Sequence, residues 1–225
     1  MKLSIIVPTL DEAPEIGVAL EALAPFRASG HELIVVDGGS TDGTPTLAGG
    51  RADRILQATR GRARQMNAGA AIATGDALLF LHADTRLPPD AARLVLEALA
   101  RRGWGRFDVR IEGRSPLLAV VAFCMNWRSR LSGIATGDQA IFVRREVFAA
   151  AGGFSDIPLM EDVALSARLK RISPPACLAA RAVTSGRRWE RHGVLRTILL
   201  MWRLRLAYFL GARPEDLARR YANGA

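Results

Sequence analysis

Carboxylates stand at the ends of predicted structural elements in three parts of the sequence. Asp37 and Asp84 follow apolar segments that are typical of buried strands, and the pair Glu161 and Asp162 opens a predicted helix. Carboxylate oxygens bind hard divalent cations, and a carboxylate also accepts the proton of an attacking hydroxyl. The alternative at each place is structural, because Asp caps turns and acids stabilise the first turn of a helix.

A cluster of polar side chains surrounds the start of an alanine-rich helix that we predict over residues 62–73. The cluster consists of Arg60, Arg62, Arg64, Gln65 and Asn67. Guanidinium groups bind phosphate through paired hydrogen bonds, which suits a diphosphate ligand. A solvated basic helix start is the alternative.

The elements that must position these residues alternate between strands and helices in the first half of the chain. We predict strands over 3–8, 32–37, 53–56 and 77–81 and helices over 15–23, 62–73 and 88–100. This alternation indicates an α/β domain with a mostly parallel sheet and helices on both faces. Ligands of such sheets bind at the carboxyl ends of the strands, where Asp37 and Asp84 are expected.

The second half of the chain is less regular. We predict strands over 104–111 and 140–143 and helices over 117–131, 160–169 and 194–210. The last of these helices has a wide apolar stripe and several arginines, which suits packing on the domain, a membrane interface or a dimer partner. We therefore expect a catalytic-type domain over 1–190 and an amphipathic helical extension over 191–225.

The composition is that of a globular protein. The chain has 225 residues, of which 49% are hydrophobic and 24% charged, and this excludes a disordered chain and a coiled coil. Its net charge of +9 suits nucleic acid, anionic lipid or phosphorylated ligands. Aromatic residues make up only 6%, which argues against a nucleic-acid-binding module, so we expect no nucleic-acid partner.

Cysteine content and apolar segments bear on the cellular compartment. The two cysteines, Cys124 and Cys177, are too few for a disulfide framework or a complete structural zinc site. No signal peptide is expected at the N-terminus, and the apolar stretches are shorter than the ~20 residues of a spanning helix. We expect a cytoplasmic location, with peripheral attachment to the inner face of the membrane as the alternative.

Five short segments carry a resemblance to a known family. They are SIIVPTLDE at 4–12, VVDGGSTDGT at 35–44, residues 61–69, LHAD at 81–84 and Glu161-Asp162. Together, over about residues 2–170, they resemble the family 2 glycosyltransferases, which are nucleotide-sugar enzymes of the GT-A fold. The resemblance implies inverting transfer of a sugar from a nucleotide-sugar donor to an acceptor hydroxyl. A UDP-sugar is the expected donor, with GDP- and dTDP-sugars as alternatives.

The resemblance also implies roles for individual residues. Asp37 would contact the nucleobase, Asp84 would bind Mg²⁺ or Mn²⁺, and Asp162 would be the general base. Further implied nucleotide contacts are Pro8, Thr9, Glu12, Arg60, Arg64, Asn67, His82 and Ala83. Residues implied to form the acceptor pocket or the diphosphate loop are Asp138, Gln139, Glu161, Arg188, Trp189 and His192.

Two positions depart from the family pattern. His82 stands where the family carries the first acid of an Asp-x-Asp motif, and Gly38 stands where it usually has a second acid. A nucleotidyltransferase on a similar sheet is the main rival function, but residues 9–12 lack the glycine-rich loop with Arg and Lys that such enzymes carry. The acceptor is not assigned. An anionic membrane surface, or a second copy bound through the C-terminal helix, is a candidate partner.

Overall fold

The computed structural model describes residues 1–223, which form one mixed sheet flanked by helices. The strands are β1 (Leu3–Thr9), β2 (Glu32–Asp37), β3 (Arg54–Gln57), β4 (Ala77–Phe80), β5 (Thr85–Arg86), β6 (Trp104–Glu112), β7 (Phe142–Arg144) and β8 (Ala176–Ser185). The helices are α1 (Ala13–Ala28), α2 (Thr44–Ala48), α3 (Arg62–Ile72), α4 (Ala91–Leu99), α5 (Leu117–Ser132), α6 (Arg145–Ala150), α7 (Glu161–Ile172), α8 (Arg187–His192), α9 (Val194–Phe209) and α10 (Pro214–Asn223). A single 3₁₀ turn covers Gly137–Gln139.

The strands lie in the order β3-β2-β1-β4-β7-β6-β8-β5. The first four pair in parallel, which confirms the parallel sheet predicted from the alternating strands and helices. Strand β7 runs antiparallel to both β4 and β6, so the second half of the sheet is mixed. Strands β1, β2 and β4 are buried along their whole length, as their unbroken Val, Ile and Leu runs require.

Helices cover both faces of the sheet, and β1 shows how the two cores form. Ile5 and Val7 point to the face covered by α1 and α4, whereas Ile6 points to the face covered by α3 and α7. This alternation is the period-2 geometry of a strand buried on both sides. Gly69 of α3 lies so close to β1 that a Cβ there would be 2.5 Å from the Ile6 side chain. These contacts fix the ends of β1 and β4, where the candidate site lies.

Strand β8 was not predicted from the sequence. Its residues include four alanines and an arginine, which have low strand propensity, yet it pairs in parallel with β6 from Gly105 to Glu112. Pairing with an ordered neighbour therefore outweighs local preference. Short elements β5, α8 and α10 were also not predicted.

The predicted C-terminal helix ends at Phe209, and a second helix, α10, follows it. Leu204 of α9 and Leu217 of α10 are buried against Ile134 and Val163, so one face of this extension packs beside the start of α7. The division of the chain at residue 190 stays a prediction. No helix within residues 1–223 combines the length and the apolar character needed to cross a bilayer.

Candidate active-site cleft

An open cleft of about 1100 Å³ lies at the carboxyl ends of β1 and β4. Thr9 and Glu12 line one wall, Asp84 lies on the floor after β4, and Asp162 stands at the start of α7. Helices α8, α9 and α10 contribute the opposite wall. The cleft therefore lies where the alternating strands and helices predicted it.

The loop after β1 is held in place by the turn after β2. Asp11 adopts a positive φ of 52°, its N–H donates to the Ser40 hydroxyl, and its carboxylate accepts the Thr41 N–H at 2.8 Å. Two residues on, the Ala13 N–H donates to Asp42 at 2.8 Å. These bonds fix Glu12 between them, facing the cleft.

The pKa of Glu12 is raised above its ordinary value. Burial is the main cause, and the negative charge of Asp84 adds to it, while Arg187 opposes it. The two carboxylates thus share one electrostatic environment at the cleft floor. An added positive charge there would be stabilised by both of them.

Asp37 is buried and is engaged in the turn that follows β2. Its carboxylate accepts the N–H groups of Gly39 and Ser40, both at 2.9 Å, together with the Ser40 hydroxyl. The structural alternative, a capping Asp, describes these contacts, and Asp37 does not line the cleft. The nucleobase contact stays a prediction.

A side chain at Gly38, where the family usually carries a second acid, would press against Gln65. A Cβ at this position would lie 3.1 Å from the amide of Gln65. Gln65 is itself buried and donates to the carbonyls of Thr9 and Val36 at 2.7 and 2.9 Å, so it ties the ends of β1 and β2 together. A larger residue at position 38 would therefore require the Gln65 side chain to shift.

The two acids at the start of α7 differ in their surroundings. Asp162 Oδ2 accepts the Gly137 N–H at 2.8 Å and Oδ1 accepts the Val163 N–H at 2.7 Å, and its side chain lines the cleft. Glu161 is buried and lies 3.6 Å from Arg62. Burial, and secondarily the charge of Asp162, raise the pKa of Glu161 above its ordinary value.

His82 lines the cleft and contacts the 3₁₀ turn. Its imidazole lies against Gly137, where a Cβ would be 2.5 Å from Cε1, and its Nδ1 is 3.4 Å from Asp138. Burial alone would lower the pKa of His82, but the bond to Asp138 and the charges of Asp138 and Asp84 raise it. The same pairing holds the pKa of Asp138 below its usual value despite burial.

Strained backbone surrounds the site. In the described part of the chain, the non-glycine residues with positive φ are Asp11, Ala140 and Met160. Met160 directly precedes the two acids of α7, and Asp11 and Ala140 lie within two residues of cleft-lining side chains. Such conformations cost of the order of 1–3 kcal/mol each and cluster at functional sites.

The arginine cluster before α3 is divided by the fold. Arg60 and Arg62 line the cleft, whereas Arg64 pairs with the exposed Asp156 at 2.8 Å. The Asn67 amide donates to the Phe154 carbonyl at 2.8 Å and accepts the Phe154 N–H at 2.9 Å. Neither Arg64 nor Asn67 lines the cleft, and their nucleotide contacts stay predictions.

Most of the predicted diphosphate loop is helix α8, and it does face the cleft. Arg188, Trp189 and His192 all line it, and the Arg188 guanidinium lies 3.7 Å from the centroid of the Tyr221 ring. Gln139, by contrast, is buried and accepts the Thr136 N–H at 3.2 Å, so it caps the 3₁₀ turn. An acceptor role for Gln139 stays a prediction.

The sequence matches a known family over about half of its length. Residues 4–115 match the family described as Glycosyl transferase family 2. The chain belongs to this family. A PGL/p-HBAD biosynthesis glycosyltransferase of Mycobacterium tuberculosis is 38% identical over 91 residues, which is 37% of this chain and 36% of the relative. The chain thus spans little more than a third of the length of this curated relative.

Solved structures show that this family 2 chain has the GT-A fold. A mannosyltransferase of Pyrobaculum calidifontis in complex with GDP-Man and Mn²⁺ has a TM-score of 0.69 at 20% identity, over 99% of this chain and 69% of that one. Staphylococcus aureus TarS 1-349 in complex with UDP-GlcNAc has a TM-score of 0.67 at 18% identity, over 82% and 58%. The predicted fold class is confirmed.

The residues of the family 2 cleft suit a metal ion that is bound partly by the protein and partly by a substrate. Within residues 1–223, no three His, Cys, Asp or Glu side chains are grouped to hold a metal ion by themselves. Asp84 supplies one carboxylate at the floor, beside Glu12. Mg²⁺ in nucleotide sites commonly uses one or two carboxylates and completes its shell with phosphate oxygens and water. The donor set therefore fits a metal bound together with a diphosphate.

Sequence reasoning missed the part of the family 2 cleft that α9 and α10 build. Thr197, Met201, Arg205 and Tyr221 line it. The first three recur every fourth residue, so they form one helical stripe, distinct from the exposed apolar one. That spacing was the available signal, but the apolar stripe dominated the pattern.

Proposed function

We propose that this protein transfers a sugar from a nucleoside diphosphate sugar to an acceptor hydroxyl, with inversion at the anomeric carbon. The observation that carries the proposal is the placement of Asp84 and Asp162 on one cleft, each at the end of an element that fixes it. Family membership supports sugar transfer. The presence of two acids with separate roles, Asp84 for the metal and Asp162 for the proton, supports the inverting reaction.

The donor binds on the side of Asp84. Asp84 would hold a divalent metal, Mg²⁺ or Mn²⁺, which when bound would neutralise the charge that develops on the departing diphosphate. Arg60 and Arg188 line the same cleft and bind phosphate oxygens. The two structural neighbours bind UDP-GlcNAc and GDP-Man, and a UDP-sugar is the proposed donor here.

Asp162 is the general base. Its carboxylate takes the proton of the acceptor hydroxyl while that oxygen forms a bond to the anomeric carbon. The bond from that carbon to the diphosphate oxygen breaks, and its electron pair leaves with the diphosphate. The N–H groups of Gly137 and Val163 hold the carboxylate in its orientation. Glu161, paired with Arg62, supports the start of α7.

A membrane surface is the proposed location of the reaction. Two packed helices, α5 and α9, present large exposed apolar side chains, here called the apolar face. It consists of Leu117, Val120, Phe123, Trp127 and Leu131 on α5 and Leu195, Leu199, Trp202, Leu206 and Phe209 on α9. Such a face is larger than isolated surface residues explain.

Charge complementarity supports an anionic bilayer as the partner that covers the apolar face. Helices α5 and α9 contain no acidic residue, and Arg196 and Arg203 are exposed beside the face. Apolar burial and attraction to anionic headgroups add in this arrangement. A second copy of this chain would lack that electrostatic gain, because its own face is also basic.

Nucleotide binding tests the proposed activity. The melting temperature of the protein is measured with UDP, GDP or dTDP, each with and without Mn²⁺. We expect UDP with Mn²⁺ to raise it, because a ligand that binds only the folded state stabilises that state. Asp84→Asn is the control and abolishes the metal-dependent part. A response to none of the nucleotides under either condition rules the proposal out.

A further inference from the structure

Two arginines near Asp162 lack the partners that buried guanidinium groups need. Nε and Nη2 of Arg128 on α5, and Nε of Arg205 on α9, are buried without a hydrogen-bond partner in the described chain. Neither side chain forms an ion pair within residues 1–223. Leaving a buried donor unpaired costs roughly 1–3 kcal/mol, and more for a charged group.

Asp162 acts on both arginines through its charge and Asp138 acts on Arg205, but within residues 1–223 neither carboxylate forms an ion pair with them. Arg106, on the neighbouring β6, is itself fully buried and uses Asp108 as its partner. Arg130 also pairs with Asp108, at 2.6 Å, so this carboxylate is already engaged. Burial, followed by the nearby charge of Arg205, lowers the pKa of Arg128 to about 10. In the described part of the chain, the two guanidinium groups thus have no carboxylate in direct contact.

The pair lies on the side of the cleft where Asp162 stands. Arg205 lines the cleft, and the charge of Asp162 acts on both arginines. The groups on the donor side are different, because there Arg187 acts on Glu12 next to Asp84. The two arginines therefore lie beside the proposed base, and other arginines serve the diphosphate.

We propose that Arg128 and Arg205 form an anion subsite that binds a phosphate group of the acceptor, next to the hydroxyl that Asp162 deprotonates. The inference rests on the proposed function and names the acceptor class, a phosphorylated hydroxy compound. A phosphate dianion matches the two guanidinium charges. Arg205, which lines the cleft, donates to it directly, whereas Arg128, which does not line the cleft, contributes its charge. It binds in the cleft while the donor diphosphate occupies the opposite side.

Binding of inorganic phosphate tests the subsite directly. Calorimetric titration is done with the protein saturated by UDP and Mg²⁺, so that the diphosphate position is filled, and at constant ionic strength. We expect wild-type protein to bind one phosphate and Arg128→Gln/Arg205→Gln to bind it at least about tenfold more weakly. Arg196→Gln/Arg203→Gln, which removes two exposed charges from the same helix α9, is the matched control and retains binding.

Further variants and ligands separate the possible outcomes. Arg205→Lys is used if the double variant fails to fold. It keeps the charge but loses the paired geometry, so we expect it to weaken phosphate binding to an intermediate degree. Equal binding of acetate and phosphate overturns the inference, as does a loss of UDP affinity in Arg205→Gln, since the arginine would then serve the donor. If UDP fails to bind at all, the titration is repeated without nucleotide. Phosphate binding that depends on Arg128 and Arg205 then shows that the proposed donor is wrong and the subsite is right.

The source of the phosphate is resolved by a second pair of ligands. Glycerol 3-phosphate represents a soluble acceptor, and phosphatidylcholine vesicles with phosphatidic acid represent a lipid one. The double variant loses affinity for the ligand whose phosphate the subsite accepts. If it loses affinity for neither, the subsite does not exist.

Discussion

The carboxylate of Asp162 accepts the backbone N–H of Gly137 at 2.8 Å, and the same glycine supports the imidazole of His82. One residue without a side chain therefore positions two cleft side chains from different parts of the chain, the loop after β4 and the start of α7. The contact also explains why the 3₁₀ turn begins with glycine. The geometry of the proposed base depends on this turn as much as on its own helix.

Asp162→Asn removes the proposed base while keeping the oxygen that accepts the Gly137 N–H. We expect nucleotide affinity to stay unchanged and the transfer rate to fall by about 10²-fold or more, which is the usual contribution of a general base. Single-turnover transfer and nucleotide titration measure the two quantities. Glu161→Gln is the control and retains more activity. Wild-type transfer by Asp162→Asn would show that another group takes the proton.

Gly137→Ala tests the shared support of Asp162 and His82. The new Cβ would lie 2.5 Å from the imidazole Cε1, so the ring or the turn must shift. We expect transfer to fall at least tenfold, because small misplacements of reacting groups are costly. Gly17→Ala is the matched control, since its Cβ meets nothing within 4 Å, and helix propensity makes it stabilising by about 0.5–1 kcal/mol. Equal activity of the two variants would remove the positioning role of Gly137.

The stability of the protein should depend on pH through Glu161. Its pKa in the folded state is raised by burial and by Asp162, so folding favours its protonated form. Its contribution to the free energy of unfolding is therefore fully present below its ordinary pKa and is lost as pH rises through the folded one. Urea unfolding of the wild type and of Glu161→Gln measures this. We expect the variant to gain stability relative to the wild type as pH rises, and parallel curves would contradict the assignment.

Membrane docking should require the apolar face. Trp202 is 68% exposed and Phe123 is 62% exposed, and each buries apolar area when the face enters a bilayer. We expect co-sedimentation with phosphatidylcholine–phosphatidylglycerol vesicles, weakened by salt, and at least tenfold lower affinity for Phe123→Glu/Trp202→Glu. Val18→Glu, at a 64% exposed apolar site on α1, is the control. If the protein instead forms a dimer that salt does not weaken and that does not bind vesicles, a second copy of this chain covers the apolar face.

The sequence predicted the parts of the site that depend on local order along the chain. Asp84 after a buried strand and Asp162 at a helix start are local patterns, and the fold brings both to one cleft. Arg128 and Arg205 are brought together by helix packing between α5 and α9, and no local pattern connects residues that far apart. For Asp37, the turn-capping alternative was already visible in the sequence, and it accounts for the contacts that Asp37 makes.

The walls of the cleft come from opposite ends of the described chain. Thr9 ends strand β1 and Asp84 follows strand β4, whereas Arg188 and Tyr221, which stack on each other, belong to α8 and α10. During synthesis at about 5–20 residues per second, the parallel strands are complete many seconds before the far wall has left the ribosome. A nascent chain can thus form the parallel half of its sheet before the helices that complete the cleft are available.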